Sequence, residues 1–181
     1  MTQDSVFVID DDPSIRRAIS RLLRSHNRQV ETFPSAQDFL DKTPPSGAVC
    51  IVLDLEMPEV NGLDLQQLLV QKRETMPIVF ISGHGSIPAS VRAMKEGAVD
   101  FLTKPFDDRQ LLDAIDTALD QARQALARRD AVDRDRAVYC TLTHREQQVC
   151  LRVVQGMLNK QIGSEFGTTE KTIKVQRGRV M

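Results

Sequence analysis

Five residues of this chain are suited to chemistry by type and by place: Asp10, Asp11, Asp54, Ser82 and Lys104. Asp10 and Asp11 end the apolar run "VFVI", Asp54 ends "VCIVL", Ser82 ends "IVFI", and Lys104 stands just past "VDFL". Three carboxylates brought together cannot all stay ionised without a cation. Every ligand atom on offer is oxygen, which suits Mg²⁺ better than zinc. A hydroxyl and an ammonium are poor metal ligands but good partners for an anion that shares the metal, and phosphate is the obvious candidate. One carboxylate could then act as the nucleophile that takes a phosphoryl group as an acyl phosphate, with Lys104 and the metal neutralising the transferring oxygens. Taken singly, each acid reads as a turn residue or cap, Lys104 as a solvated lysine and Ser82 as a turn hydroxyl. Their joint order, each after a separate apolar run, overrides those readings.

The elements that must position these groups are legible as alternating patterns. The short, nearly unbroken apolar runs, with a weaker one at "VETF", read as strands buried on both faces, as a parallel sheet requires. Between them lie the amphipathic segments "IRRAISRLLRS", "SAQDFLDK", "GLDLQQLLVQKR" and "IPASVRAMKEG". Five strands alternating with five helices predict a doubly wound α/β domain over roughly residues 1–120. In such a sheet, ligands bind outside the carboxyl ends of the strands, which is where the five groups stand. Asp12 followed by Pro13 reads as an N-cap and first helical residue, so the third acid has a structural role and Asp11 is the one expected on the metal. Gly62 precedes the third helix and Gly97 ends the fourth in a left-handed cap.

Leu112, Ile115, Leu119, Ala122 and Leu126 form one apolar seam on the fifth helix, a pattern that fits a short coiled-coil contact. Beyond it, "RRDAVDRDRA" is charged all round and reads as a solvated linker. The tail then opens with Thr143 and Glu146 at capping-box spacing, and Gly156 ends that helix. Asn159 is placed to cap "KQIGSEF", and "EKTIKVQRGRVM" follows after "GTT". Two short helices joined by a glycine-containing turn, the second one basic, describe a helix-turn-helix.

The bulk numbers agree with one full domain plus a small second unit: 181 residues and a net charge of −1. From Thr141 onward the chain carries seven Lys/Arg against three acids, which is +4 for the tail and −5 for the remainder. A basic tail on an acidic body predicts that the tail meets a polyanion. No apolar run approaches the roughly 18 residues needed to span a membrane. The N-terminus has no signal-peptide pattern. Cys50, Cys140 and Cys150 are scattered without a C-x-x-C, which argues for reduced thiols in a cytoplasmic protein.

"VIDDD", "LDLEMP..NG", "ISGHG" and "AMKEGAVDFLTKPF" resemble the receiver domain of bacterial two-component response regulators. "LTHREQQV...QGMLNKQIGSEFGTTEKTIKV" resembles the LuxR/FixJ-type helix-turn-helix, and the long connecting helix with the "GHG" loop is similar to the FixJ subgroup. The resemblance implies a flavodoxin-like receiver with strand order 2-1-3-4-5 over residues 1–122, a linker at 123–140 that extends the fifth helix, and a helix-turn-helix at 141–181. It implies that Asp54 accepts a phosphoryl group from a histidine kinase. Asp11, Asp54 and the backbone carbonyl of Glu56 would ligate Mg²⁺, with Asp10 acting through water. Lys104 would pair with the phosphoryl group, Ser82 would swing to bond it, and Phe101 would follow inward as the switch aromatic. Lys104–Pro105 would be cis, and His84 and Glu56 would flank the pocket and tune the phosphate's lifetime. Val91 and Lys95 on the fourth helix would carry a homodimer contact made on phosphorylation.

The recognition helix is expected over Thr169 to Met181. By resemblance, Lys174, Val175 and Gln176 face the major groove of promoter DNA, with Lys160, Lys171 and Arg177 on phosphates. Gln176 stands where the family often has histidine. Gly178 stands where relatives can carry lysine, and glycine inside a helix costs about 1 kcal/mol relative to alanine. Family members continue for a fourth tail helix, so this tail is expected to be C-terminally truncated, weakly stable, and to expose Val153, Ile162 and Ile173. The leading function is therefore a phosphorylation-switched transcription regulator. It is no enzyme beyond its own phosphorylation and slow dephosphorylation. The alternative is a receiver that acts only through protein contacts because its DNA module is incomplete. A Mg²⁺-dependent phosphatase is disfavoured, because Asp10-Asp11-Asp12 lacks an Asp-x-Asp-Gly pattern and no substrate cap is visible.

Overall fold

The computed structural model describes residues 4–43, 47–58, 60–72, 76–84 and 86–180. The contacts divide the chain into two compact units, residues 1–127 and 128–181. In the first unit five strands alternate with helices: β1 (Ser5–Ile9), α1 (Pro13–Ser25), β2 (Gln29–Phe33), α2 (Ala36–Leu40), β3 (Val49–Asp54), α3 (Gly62–Gln71), β4 (Ile78–Ser82), α4 (Ile87–Lys95), β5 (Asp100–Thr103) and the start of α5 (Asp108–Thr141). All pairings are parallel and the order is β2-β1-β3-β4-β5. This is the doubly wound architecture that the alternating runs predict.

The pleat sorts the core into two layers, because successive strand side chains point to opposite faces. Phe7, Ile9, Ile51, Leu53 and Phe80 join Phe33, Phe39, Leu65 and Leu69 on one face. Val6, Val8, Val52, Val79 and Ile81 join Ile19, Leu23, Leu111, Ile115 and Leu119 on the other. Phe7, Phe33 and Phe39 meet edge to face, with centroids 5.3–6.0 Å apart. The apolar seam of α5 is therefore not free for a coiled coil along its whole length. Ile115 and Leu119 are fully buried under the sheet, and Leu112 packs beside them. Burying those side chains in the chain's own core yields the same stabilisation that a partner helix would.

Helix punctuation follows the sequence. Asp12 caps α1 through Ser14 N–H, with Pro13 in the first turn. Gly97 and Gly156 take φ of +95° and +81° after α4 and α6, where a Cβ would be strained. The charged stretch after Ala127 is helical, part of α5 up to Thr141.

The second unit continues with α6 (His144–Val154), α7 (Asn159–Glu165) and α8 (Glu170–Val180). Thr143 and Glu146 form the expected capping box. Two expectations are corrected here. Ile162 and Ile173 are fully buried with Val149, and Val153 packs against them, so three short helices suffice to close over a small core. Among the described residues after α5, the exposed large apolar side chains are Leu151, Val154, Leu158 and Val175 instead. Asn159 does not cap α7. It is that helix's first residue, and its Oδ1 accepts from Arg177 Nη1 at 3.0 Å, while Gln161 Oε1 accepts the backbone N–H of Leu158. The expected recognition helix corresponds to α8, and Met181 lies outside the described residues, as does Gly85 of the "GHG" loop.

The three cysteines are free. Burial pushes the Cys50 thiol up to about 12, which makes it a poor nucleophile. Among the described residues no helix is long and apolar enough to cross a membrane.

Candidate functional site

Sheet register brings the chemistry-bearing residues to one rim. Ile9 pairs with Leu53, so Asp10 leaves β1 level with Asp54 at the end of β3. Asp54 pairs with Ile81 and Ser82 pairs with Thr103, which sets Ser82 and then Lys104 successively beyond it. The backbone N–H of Lys104 donates to Ser82 O at 2.8 Å and holds the two strand exits together. The Lys104–Pro105 peptide is cis.

Asp10 is wholly buried, Asp54 is 5% exposed, and Asp11 is exposed. One carboxylate oxygen from each lies within 4.8 Å of the others. Lys104 Nζ donates to Asp10 Oδ2 and Asp54 Oδ1, both at 2.9 Å. Burial raises the pKa of Asp54 above the ordinary carboxylate value, against the pull of Lys104. For Lys104, burial works against the charge, but hydrogen bonds to Asp54 and Asp10 outweigh it and the net shift is upward. The rim therefore holds more negative charge than its one ammonium offsets, and its donors are all oxygens. A hard divalent cation fits that donor set.

The acid triplet divides its labour. Asp10 Oδ1 accepts the N–H of Asp12 at 2.8 Å, and Asp12 Oδ1 accepts the N–H of Ser14 at 2.7 Å. That last bond holds the Asp12 carboxyl below its ordinary range. Asp11 alone leaves its carboxylate without a hydrogen bond or ion pair among the described residues.

Ser82 is fully buried and turned to its own loop: its Oγ donates to His84 O at 2.8 Å and accepts from His84 N–H at 3.2 Å. Phe101 is half-buried and stacks on Phe80 with centroids 6.2 Å apart. Exposed His84 and Glu56 pair at 3.0 Å. Val91 and Lys95 are exposed on α4, where Ile87 and Met94 are exposed apolar neighbours.

Two contributors to the rim escaped the sequence. A Cβ on Gly62 would meet Asp54 O at 2.5 Å and Phe80 Cε1 at 3.0 Å, so only glycine lets α3 start this close to the acid. The signal was the glycine itself, legible as a helix start but not as a close approach. The other is Arg16, whose guanidinium reaches back to the loop between β1 and α1.

In the second unit, α7 and α8 meet closely. A Cβ on Gly163 would lie 3.0 Å from Thr168 O. Arg145 sits 4.1 Å over the Phe166 ring and donates to Phe166 O, while Arg152 pairs with Glu165. Lys160, Lys171, Lys174 and Val175 are exposed. Gln176 is half-buried with its Oε1 enclosed and unpartnered, and Arg177 is half-buried on Asn159. These last two are thus less open to solvent than the lysines beside them.

Both parts of the chain are similar to known proteins. Residues 6–116 match the response regulator receiver domain, and residues 140–181 match the bacterial regulatory proteins of the luxR family. Nodulation protein W of Bradyrhizobium diazoefficiens is 44% identical over 180 residues, which is 99% of this chain and 79% of that protein. Response regulator protein TodT of Pseudomonas putida is 45% identical over 176 residues, 97% of this chain and 78% of that protein. Among solved structures, response regulator StyR superposes with a TM-score of 0.85 at 44% identity, covering 99% of this chain and 90% of that one. Full-length FixJ from B. japonicum gives 0.62 at 36% identity, covering 100% and 89%.

Proposed function

The chain belongs to the two-component response regulators that join a receiver domain to a LuxR-type DNA-binding domain, and from that membership we propose that Asp54 accepts a phosphoryl group from a histidine kinase and thereby switches transcription. The observation that carries this reading is the buried Asp54 carboxylate, bridged by Lys104 and within 4.8 Å of the other two acids. An Asp54 oxygen attacks phosphorus, the P–N bond of the phosphohistidine breaks, and its electron pair leaves on the imidazole nitrogen. Lys104 already touches an Asp54 carboxylate oxygen and stays to neutralise the phosphoryl group. Asp11, Asp54 and the Glu56 backbone carbonyl would hold Mg²⁺, with Asp10 acting through water. Bound there, the metal supplies positive charge to the transferring oxygens.

The switch begins at Ser82. A dianionic acceptor offers its hydroxyl a stronger bond than His84 O does. Leaving the loop, Ser82 opens space for Phe101, and the two rotamers bias the α4 surface. Exposed Ile87, Val91 and Met94, with Lys95 at the edge, give that surface the apolar character of a homodimer contact. An apolar groove lined by Ile15, Ala18, Leu22, Pro105 and Phe106 adjoins Lys104 and suits a kinase docking beside the acceptor. Residues 1–122 serve as receiver, 123–140 as linker and 141–181 as the DNA module. Lys174 and Val175, with the less exposed Gln176, face the groove, while Lys160, Lys171 and Arg177 meet phosphates. Action through protein contacts alone is not favoured, since the tail matches the luxR family and closes its own core.

The test is a low-molecular-weight phosphodonor with Mg²⁺, read by intact mass. One phosphoryl adduct is expected, absent in Asp54→Ala and in chelator. An adduct that survives Asp54→Ala overturns the assignment.

A further inference from the structure

We propose that Arg16 is a positioning residue for the metal site, clamping the backbone that carries Asp10 and Asp11. The proposal rests on the metal assignment above. Arg16 is the first basic residue after the acid triplet. Its Nη1 donates to Asp10 O at 2.6 Å and to Asp11 O at 2.9 Å, and its own backbone N–H donates to Asp12 O at 3.1 Å in the first turn of α1. One side chain therefore gathers two consecutive carbonyls onto one nitrogen. Charge-assisted bonds of this kind are among the stronger ones available to a loop.

What it leaves alone matters as much. Lys104 spends its ammonium on carboxylate oxygens of Asp10 and Asp54, two of the three acids at the rim. Arg16 places its charge on carbonyls and leaves the acids' lone pairs open. Asp10 is also held through its own carboxylate, by Asp12 N–H. Asp11 has no such bond among the described residues, so its direction is set by its own backbone, and Arg16 holds that backbone at Asp11 O. Loss of both carbonyl anchors would free the backbone at Asp10 and Asp11 to shift, and the Asp11 side chain with it. Outer contacts of this sort orient metal ligands, and their loss typically weakens binding about 10–100-fold.

The sign of the effect separates positioning from simple counter-charge. A cation fixed near the site repels Mg²⁺, so if Arg16 only balanced charge, its removal would tighten Mg²⁺ binding. Positioning predicts the opposite. The experiment titrates Mg²⁺ calorimetrically into the full chain as wild type, Arg16→Met, Arg16→Lys and Asp11→Asn. Thermal unfolding in chelator serves as the second readout. Arg16→Met is expected to weaken Mg²⁺ about 10-fold while still unfolding cooperatively in chelator. Arg16→Lys keeps the charge but ends a bond short of the Nη1 that meets both carbonyls, and is expected to weaken binding as well. If Arg16→Met does not fold, Arg16→Lys decides by itself, because unchanged affinity there means charge alone. Equal or tighter binding by Arg16→Met overturns the proposal while the metal site stands. Failure of wild type to bind, or unchanged binding by Asp11→Asn, overturns the metal assignment and the proposal with it.

Discussion

The two units differ in how they hold charge and how much core supports it. The first buries an apolar layer on each face of its sheet and sets Asp10, Asp54 and Ser82 at the sheet's rim, all of them buried. The second closes over Val149, Ile162 and Ile173 and keeps Lys160, Lys171 and Lys174 in solvent. Buried charge interacts strongly, because water cannot screen it, and each group depends on its neighbours. Exposed charge interacts weakly and additively, and salt screens it. The receiver rim should therefore respond to substitution in an all-or-none way, and the tail helix by degrees.

The largest effect expected is structural. Ile162→Ala or Ile173→Ala truncates one of the three fully buried side chains of the small core, and such truncations cost about 2–5 kcal/mol. NMR spectra should then show residues of α6–α8 losing dispersion while those of β1–β5 keep theirs. If both units melt together, the contrast between them fails.

A smaller effect concerns pH. The folded-state pKa of Asp54 is raised by burial, so between its ordinary value of 3.8 and the raised one the native state holds more proton than the unfolded chain. Its contribution to stability falls as pH rises through that window and stays reduced above it. Asp54→Asn removes the penalty, and Lys104 keeps Asp10 as partner. In chelator, the variant should melt above wild type at pH 7, with the gap shrinking as pH falls to 3.8. A gap that widens on acidification would show that pairing, and not burial, governs this acid.

The smallest effect belongs to the tail. Lys171→Ala should weaken DNA binding across all sequences and lower the salt slope by about 1, as loss of one phosphate contact does. Gel shifts over a range of salt measure it. A change in sequence preference with an unchanged slope would move Lys171 from the backbone to the bases.

Local signals made much of this protein legible. Apolar runs marked the strands, and the residues just past them marked the rim, because a strand's exit is a sequence-local fact. Asp12 with Pro13, Thr143 with Glu146, and Gly97 and Gly156 each took the capping place their chemistry favours. The α5 seam was legible as an apolar stripe but not as to what it would cover. Periodicity records that a face must be buried, and the sheet turned out to bury it. The exposed fate expected for Ile162 and Ile173 was wrong for a similar reason: a count of helices does not say how closely they meet, and Gly163 lets α7 approach the residues leading into α8.

The sequence by itself determined the order of elements and the set of groups brought to the rim, because strand alternation and capping act within a few residues. Only the tertiary structure decided that Gly62 must have no side chain beside Asp54 O, and that Ser82 rests on His84 O. It also decided that Arg16 folds back onto the loop of the acids it follows. Those are distances between backbone and side-chain atoms fixed by packing, and no spacing along the chain encodes them.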